Sequence, residues 1–96
     1  MKLDFHKNDG ELTVSVDGRL DTVTAPALEQ FLIEHRDGVG ALTLDLGNLS
    51  YISSAGLRVL LGAHKRMKGA MKLIRVGEVV MDVLEMTGFA DILVIE

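Results

Sequence analysis

The sequence predicts an α/β fold: a mixed sheet that opens with an antiparallel hairpin and carries helices packed on it, in the order β-β-α-β-α-β-α-β. Three observations predict it. Two alternating segments flank Asn8-Asp9-Gly10, and Asp-Gly favours a type I′ hairpin turn because that turn needs positive φ. Beyond them, short apolar segments alternate with segments of helical period, which implies parallel strands joined by right-handed crossovers. The 96 residues are 48% hydrophobic, enough for one domain over residues 1–96 with a modest core and too apolar for disorder.

In the hairpin, Leu3 and Phe5 alternate with polar neighbours, as do Leu12, Val14 and Val16. Gly18 to Val23 reads as a loop. A first helix follows from about Thr24 to Asp37. Thr24 or Asp21 serves as its cap, Pro26 suits its first turn, and Leu28, Phe31, Leu32 and His35 form its apolar face. His35 and Arg36 fall in its last turn, and Gly38 closes it. Ala41 to Leu46 is the next strand, with Leu42, Leu44 and Leu46 inward.

A loop over Asn48 to Ser54 leads to a second helix, about Ala55 to Lys68, ended by Gly69. Met71 to Val76 reads as a strand, Glu78 to Thr87 as a third helix, and Ile92 to Ile95 as a last strand. Gly88 suits the left-handed position after the third helix, flanked by Leu84 and Phe89.

Composition narrows the function. Net charge is −4 with no basic stripe interleaved with aromatics, which argues against nucleic acid. No cysteine is present, so disulfides and Cys-based metal sites are excluded. The N-terminus lacks the apolar core of a signal peptide, and no apolar run approaches the roughly 18 residues of a membrane span. The expectation is a cytoplasmic chain without membrane insertion.

Enzyme signals are poor. His6, His35 and His64 lie on three different elements, with structural roles at a strand surface, a helix end and a helix margin. No metal or cofactor is expected. Gly38-Val39-Gly40 and Ser54-Ala55-Gly56 have neither the spacing nor the Lys of a phosphate-binding loop. Ile52 stands where a nucleophile elbow needs Gly.

The second helix carries the site. Leu57, Leu60, Leu61 and His64 make its inward face. Ser54, Arg58, Gly62 and Arg66 form the opposite stripe, with Ala55 beside them and Val59 as an exposed apolar residue. Small residues there allow close approach of a partner. A serine at the helix start caps an unpaired N–H and faces the positive end of the helix dipole.

Leu49-Ser50-Tyr51-Ile52-Ser53-Ser54-Ala55-Gly56-Leu57 resembles the signature of the STAS domains, the family of anti-sigma factor antagonists that act in bacterial partner switching. Gly18-Arg19-Leu20-Asp21-Thr22-Val23-Thr24-Ala25 is similar to that family's Gly-Glu-Leu-Asp loop. The element order also matches across nearly the whole chain. The resemblance implies a STAS-like (SpoIIAA-like) fold and a phosphorylated serine at Ser54. Ser53 stands where the family has Asp, which makes Ser53 the alternative acceptor.

Further implications follow from the resemblance. The chain, when unphosphorylated, would bind an anti-sigma factor with a GHKL-type kinase fold. That kinase would use ATP and Mg²⁺ to phosphorylate Ser54, and a PP2C-type phosphatase would reset it. Asp21, Thr22 and Thr24, with Ser53, Ser54, Ala55, Arg58, Val59 and Gly62, would form the shared partner surface. Many STAS domains carry one more helix after the last strand. Its absence would leave a sheet edge or face less covered and favour a homodimer. The alternative role for a small STAS chain is an accessory subunit of a lipid-transport ABC complex.

Overall fold

The computed structural model describes Met1–Glu96. Its elements are β1 (Lys2–Asn8), β2 (Glu11–Leu20), α1 (Ala25–Glu34), β3 (Ala41–Asp45), β4 (Leu49–Ile52), α2 (Ser54–Arg66), β5 (Met71–Ile74), α3 (Glu78–Met86), a 3₁₀ turn (Phe89–Asp91) and β6 (Val94–Ile95).

The hairpin forms as the Asp-Gly pair dictates. Asp9 and Gly10 both adopt positive φ, 49° and 81°, and Asn8 pairs with Glu11 across the turn. The main sheet runs β1-β2-β3-β5-β6, with β1 antiparallel at one edge and the remaining neighbours parallel. The parallel strands β2, β3, β5 and β6 are added in one direction. Right-handed crossovers therefore place all three helices on one face.

Burial follows the same logic. Leu12, Val14, Val16, Leu42, Leu44, Met71 and Leu73 point into the core, while Thr13, Ser15, Thr43, Asp45 and Lys72, on the other side of the pleat, stay half-exposed. Leu28 and Leu32 of α1, Leu57 and Leu60 of α2, and Val80 and Leu84 of α3 complete a core that contains no polar or charged residue.

Several expected boundaries move. The expected loop over Asn48 to Ser54 contains β4, and the expected loop from Gly18 begins as strand, because β2 runs on to Leu20 and pairs β4 in parallel. A bulge hides this in the sequence. Gly18 pairs Leu49 but Arg19 pairs Tyr51, so Ser50 is the extra residue and the alternation breaks. Ser50 Oγ donates to the Gly18 carbonyl at 2.9 Å, and the Gly18 N–H donates to the Asn48 carbonyl at 2.9 Å.

The helix α1 stops at Glu34, so His35 caps it and Arg36 and Gly38 lie beyond it. The His35 ring stacks on Phe31, and its Nδ1 lies 2.8 Å from the Phe31 carbonyl, an aromatic end-piece rather than another helical turn. After α2, Lys68 at φ 53° takes the left-handed position, and Gly69, expected to end the helix, follows it at φ 85°. The Lys68 N–H donates to the Lys65 carbonyl and the Gly69 N–H to the His64 carbonyl, both at 3.0 Å, the two bonds of a Schellman ending. The strand at Met71 ends at Ile74, because Arg75 has positive φ. Gly88 is left-handed as expected, at φ 81°, while α3 ends at Met86 and the last strand shortens to Val94–Ile95 behind the 3₁₀ turn.

Candidate functional site

Parallel strands end on one rim. There β2 closes at Leu20, β3 at Asp45 and β4 at Ile52. The loops that carry Asp21 and Ser53 thus leave neighbouring parallel strands on the same side. Open α/β sheets place their binding sites along such a rim.

Asp21 organises the first loop. Its Oδ1 accepts the Val23 and Thr24 N–H groups, each at 3.0 Å, and its own N–H donates to Thr24 Oγ1 at 2.9 Å. The Thr24 hydroxyl in turn donates to the Arg19 carbonyl at 2.8 Å. The Asp21 carbonyl accepts the Ala25 N–H at 2.8 Å, so this reciprocal pair feeds directly into α1. Neither expected cap, Asp21 or Thr24, bonds a first-turn amide of α1 with its side chain; the Asp21 carboxylate instead holds the turn just before the helix. The Thr24 backbone N–H is the largest influence holding the Asp21 carboxyl below its ordinary value. Partial desolvation opposes it, and the Thr24 hydroxyl, the Val23 N–H and the Arg19 guanidinium add to it.

A carboxylate held below its unfolded value stabilises the fold above that value, roughly pH 3.9, and loses the contribution as pH falls through the folded value. The stability gap between wild type and Asp21→Asn should therefore be widest above about pH 5 and shrink below about pH 4. Thermal melts across that range check this. A gap that does not change with pH would show that the charge is not what the turn holds.

The second loop is anchored by backbone. The Ser53 N–H donates to the Leu20 carbonyl at 2.9 Å, extending the β2–β4 pairing by one bond. Ser53 then caps α2: its carbonyl accepts the Leu57 N–H at 2.9 Å, and its Oγ accepts the Gly56 N–H at 3.4 Å. The expected cap at Ser54 is thereby corrected by one residue. Ser54 is the first residue of the helix, exposed, and its hydroxyl makes no hydrogen bond within the protein. The Ser54 and Ala55 N–H groups also lack a protein acceptor, as first-turn amides do. Ser53→Ala is expected to cost about 0.5–1 kcal/mol in denaturant melts, at the low end for a cap because the bond is long.

Gly56 fixes how close the helix comes. A Cβ there would lie 2.8 Å from Leu20 Cγ, 2.9 Å from Ile52 Cγ1 and 3.0 Å from the Leu20 carbonyl oxygen. Only glycine lets the first turn of α2 sit on the junction of β2 and β4.

Along α2 the exposed stripe is narrower than the sequence suggested. Ser54, Arg58 and Arg66 are exposed and Gly62 is half-buried, but Val59 is only 6% exposed and belongs to the core with Ala63. The inward face is turned toward Gly56, Val59 and Ala63, leaving Leu61 and His64 half-buried at its margin. A strip of pure steps of four drifts around a helix of 3.6 residues per turn, and Val59 falls on the inward side of that drift. Thr22 is exposed in the Asp21 turn, and Ala55 is half-buried beside Ser54.

Residues not singled out from the sequence complete the rim. The Arg19 guanidinium stands 4.1 Å from the Tyr51 ring centroid, a consequence of their pairing across β2 and β4, and its Nε lies 3.8 Å from Asp21 Oδ2. Val23 projects from the Asp21 turn, 84% exposed. Asp45 Oδ1 accepts from Arg75 Nε and from the Gly47 N–H, each at 2.9 Å. Partial burial pushes the Asp45 carboxyl up, and the Gly47 N–H and Arg75 together more than offset it, so the net shift is downward. A lone apolar residue in a polar turn marks Val23 in the sequence, but the Arg19–Tyr51 and Asp45–Arg75 pairs need the strand register.

The three histidines stay apart, and no three His, Cys, Asp or Glu side chains converge on a point that would hold a metal ion. No helix is long and apolar enough to cross a membrane.

The STAS domain family profile matches residues 2–96, and the chain belongs to that family. Over 96 residues it is 40% identical to BtrV of Bordetella bronchiseptica, described as an anti-sigma factor antagonist, covering 96% of this chain and 83% of that protein. It is 30% identical over 96 residues to the anti-sigma-B factor antagonist of Bacillus subtilis strain 168, covering 97% of this chain and 88% of that one. The crystal structure of an anti-sigma factor antagonist from Mycobacterium paratuberculosis superposes with a TM-score of 0.86 at 28% identity, covering 98% of this chain and 83% of the other. The mixed sheet and its helices are the SpoIIAA-like fold. SpoIIAA in its unphosphorylated form superposes at a TM-score of 0.83 and 14% identity, covering 99% of this chain and 88% of that one.

Proposed function

We propose that the chain is an anti-sigma factor antagonist of a cytoplasmic partner-switching system, a binding module and phosphorylation substrate without catalysis of its own. Unphosphorylated, it binds an anti-sigma factor that is also a serine kinase of the GHKL type, and phosphorylation of Ser54 releases it. The kinase brings ATP and Mg²⁺, and a PP2C-type phosphatase restores the serine. The observation that carries this reading is the placing of Ser54: an exposed hydroxyl with no internal partner, first in α2, on the rim shared with the Asp21 turn. The relatives described above carry the antagonist name.

The acceptor is Ser54 rather than Ser53. The Ser53 hydroxyl is engaged with the Gly56 N–H, and Ser53 is only half-exposed. The family's Asp at this place is replaced by a residue that caps a helix equally well, so the local fold keeps its anchor. A phosphate on Ser54 adds about −1.5 to −2 charges next to two free backbone N–H groups and the helix dipole. Arg58, one turn along, has no ion-pair partner and is within helical reach. The phosphorylated chain therefore keeps its fold, while a dianion in the contact opposes the partner.

Partner contact falls to Asp21, Thr22, Thr24, Ser53, Ser54, Ala55, Arg58 and Gly62, with Val59 supporting from beneath. The test is a pull-down from the native cell with wild type and Ser54→Asp, read by mass spectrometry, followed by phosphopeptide sequencing after incubation with the captured kinase and ATP. Capture of a kinase by wild type alone, with phosphate on Ser54, is the expected result. Phosphate confined to Ser53 would move the switch by one residue, and capture of transporter subunits instead would overturn the reading.

A further inference from the structure

We infer that the helix layer is a self-association surface, on which α2 of one copy packs against α3 of a second and α3 of the first against α2 of the second. Charge is laid out in blocks along the chain. Residues 46–77 hold six basic side chains and no acidic one, and residues 78–96 hold five acidic side chains and no basic one. Lys72, Arg75 and Glu96 from these blocks are engaged in ion pairs inside the protein. None of the four ion pairs involves a residue of α2 or α3. Arg58, Lys65 and Arg66 on α2, with Lys68 just beyond it, are exposed and unpaired, and so are Glu78, Asp82 and Glu85 on α3.

The outer face of α3 is also apolar. Val79 is 62% exposed and Met86 86%. Seven residues apart, they share one face of the helix, beside the acidic stripe of Glu78, Asp82 and Glu85. On α2, Leu61 and Gly62 lie between Arg58 and Lys65, both half-buried. Arg66 folds back along the helix, and its Nη1 would stand 3.4 Å from a Cβ at Gly62, so the guanidinium covers the outer surface there. Each face thus sets an apolar or small centre among charges of one sign, and the two signs are opposite. Exposed ion pairs contribute little one at a time, so Val79 and Met86 have to supply part of the contact.

Topology allows the contact to close. The strands β3, β5 and β6 are added in one direction, so α2, which joins β4 to β5, and α3, which joins β5 to β6, run side by side on one face of the sheet. A two-fold axis between them lays each basic helix on the acidic helix of the other copy, twice over. Packing α3 on α3 would set acid against acid, and α2 on α2 base against base. A second copy satisfies both faces at once, whereas an unrelated basic or acidic partner satisfies only one. The test reads self-association alone, so its outcome leaves the reading of Ser54 untouched.

Sedimentation equilibrium tests the inference. Wild type is expected to form a dimer at about 20 mM salt and to weaken at least tenfold at about 500 mM, where screening is strong. Asp82→Lys/Glu85→Lys and Lys65→Glu/Arg66→Glu/Lys68→Glu should each be monomeric at low salt, because like charges then face each other. An equimolar mixture of these two variants is expected to dimerise again, since each basic helix finds an acidic one. Val79→Ser/Met86→Ser changes no charge and alters only exposed side chains, so it should fold as wild type does and weaken the dimer at least tenfold. Wild type that stays monomeric at millimolar concentration in low salt, a dimer insensitive to salt or to the serine variant, or a mixture of reversed variants that stays monomeric would each overturn the proposal.

Discussion

Gly56→Ala is expected to destabilise the protein by about 1–2 kcal/mol, against the usual helical preference for alanine. In an unobstructed helix interior that change stabilises by up to about 1 kcal/mol. Here the added methyl meets Leu20 Cγ, Ile52 Cγ1 and the Leu20 carbonyl oxygen at 2.8–3.0 Å. Leu20 is fully buried and Ile52 nearly so, and neither clashing carbon is the free end of its side chain. The helix must lift from the β2–β4 junction, and overpacking of this kind costs about 1–3 kcal/mol, toward the upper end where backbone is involved. The net loss should lower the melting temperature by roughly 5–15 °C for a chain of this size. Thermal and denaturant melts read it directly. Melting at or above wild type would mean that α2 approaches the sheet less closely than described.

The same contact shows what was legible in the sequence. Elements with an unbroken period were: the hairpin around Asp9-Gly10, the inward leucines of β3, and the three helices, whose cores were placed correctly. What failed were features set by register or by fractions of a turn. The bulge at Ser50 destroys the alternation that would have revealed β4. Ser53 and Ser54 are chemically alike, and no local pattern tells which Oγ accepts the Gly56 N–H. Val59 belongs to the inward face, which is rotated by a fraction of a turn from the one read in the sequence. The two rim loops were recognisable because their sequences resemble the STAS signature. The Arg19–Tyr51 contact that ties them together depends on a pairing that no local pattern contains.

Because Ser53 rather than Ser54 carries the cap, charge at Ser54 should act on binding almost alone. Ser54→Ala removes an exposed hydroxyl with no internal partner, so its stability should stay within about 0.5 kcal/mol of wild type. Ser54→Asp should be neutral or stabilising by about 0.3–1 kcal/mol, since a negative charge in the first turn suits the dipole and that turn has no acidic residue of its own. Partner affinity should rank the variants the other way. Alanine leaves the rim uncharged and keeps most of the contact. Aspartate sets a charge at the centre of the surface formed with the Asp21 turn, and a charge desolvated there without a partner is unfavourable. A loss of at least tenfold is expected, about 1.4 kcal/mol or more. Denaturant melts and titration calorimetry on the same three proteins with the captured kinase separate the two scales. If Ser54→Asp binds as wild type does, charge at this position is not the switch; if it also melts lower, the first turn of α2 does not hold the unpaired amides to which the tolerance is attributed.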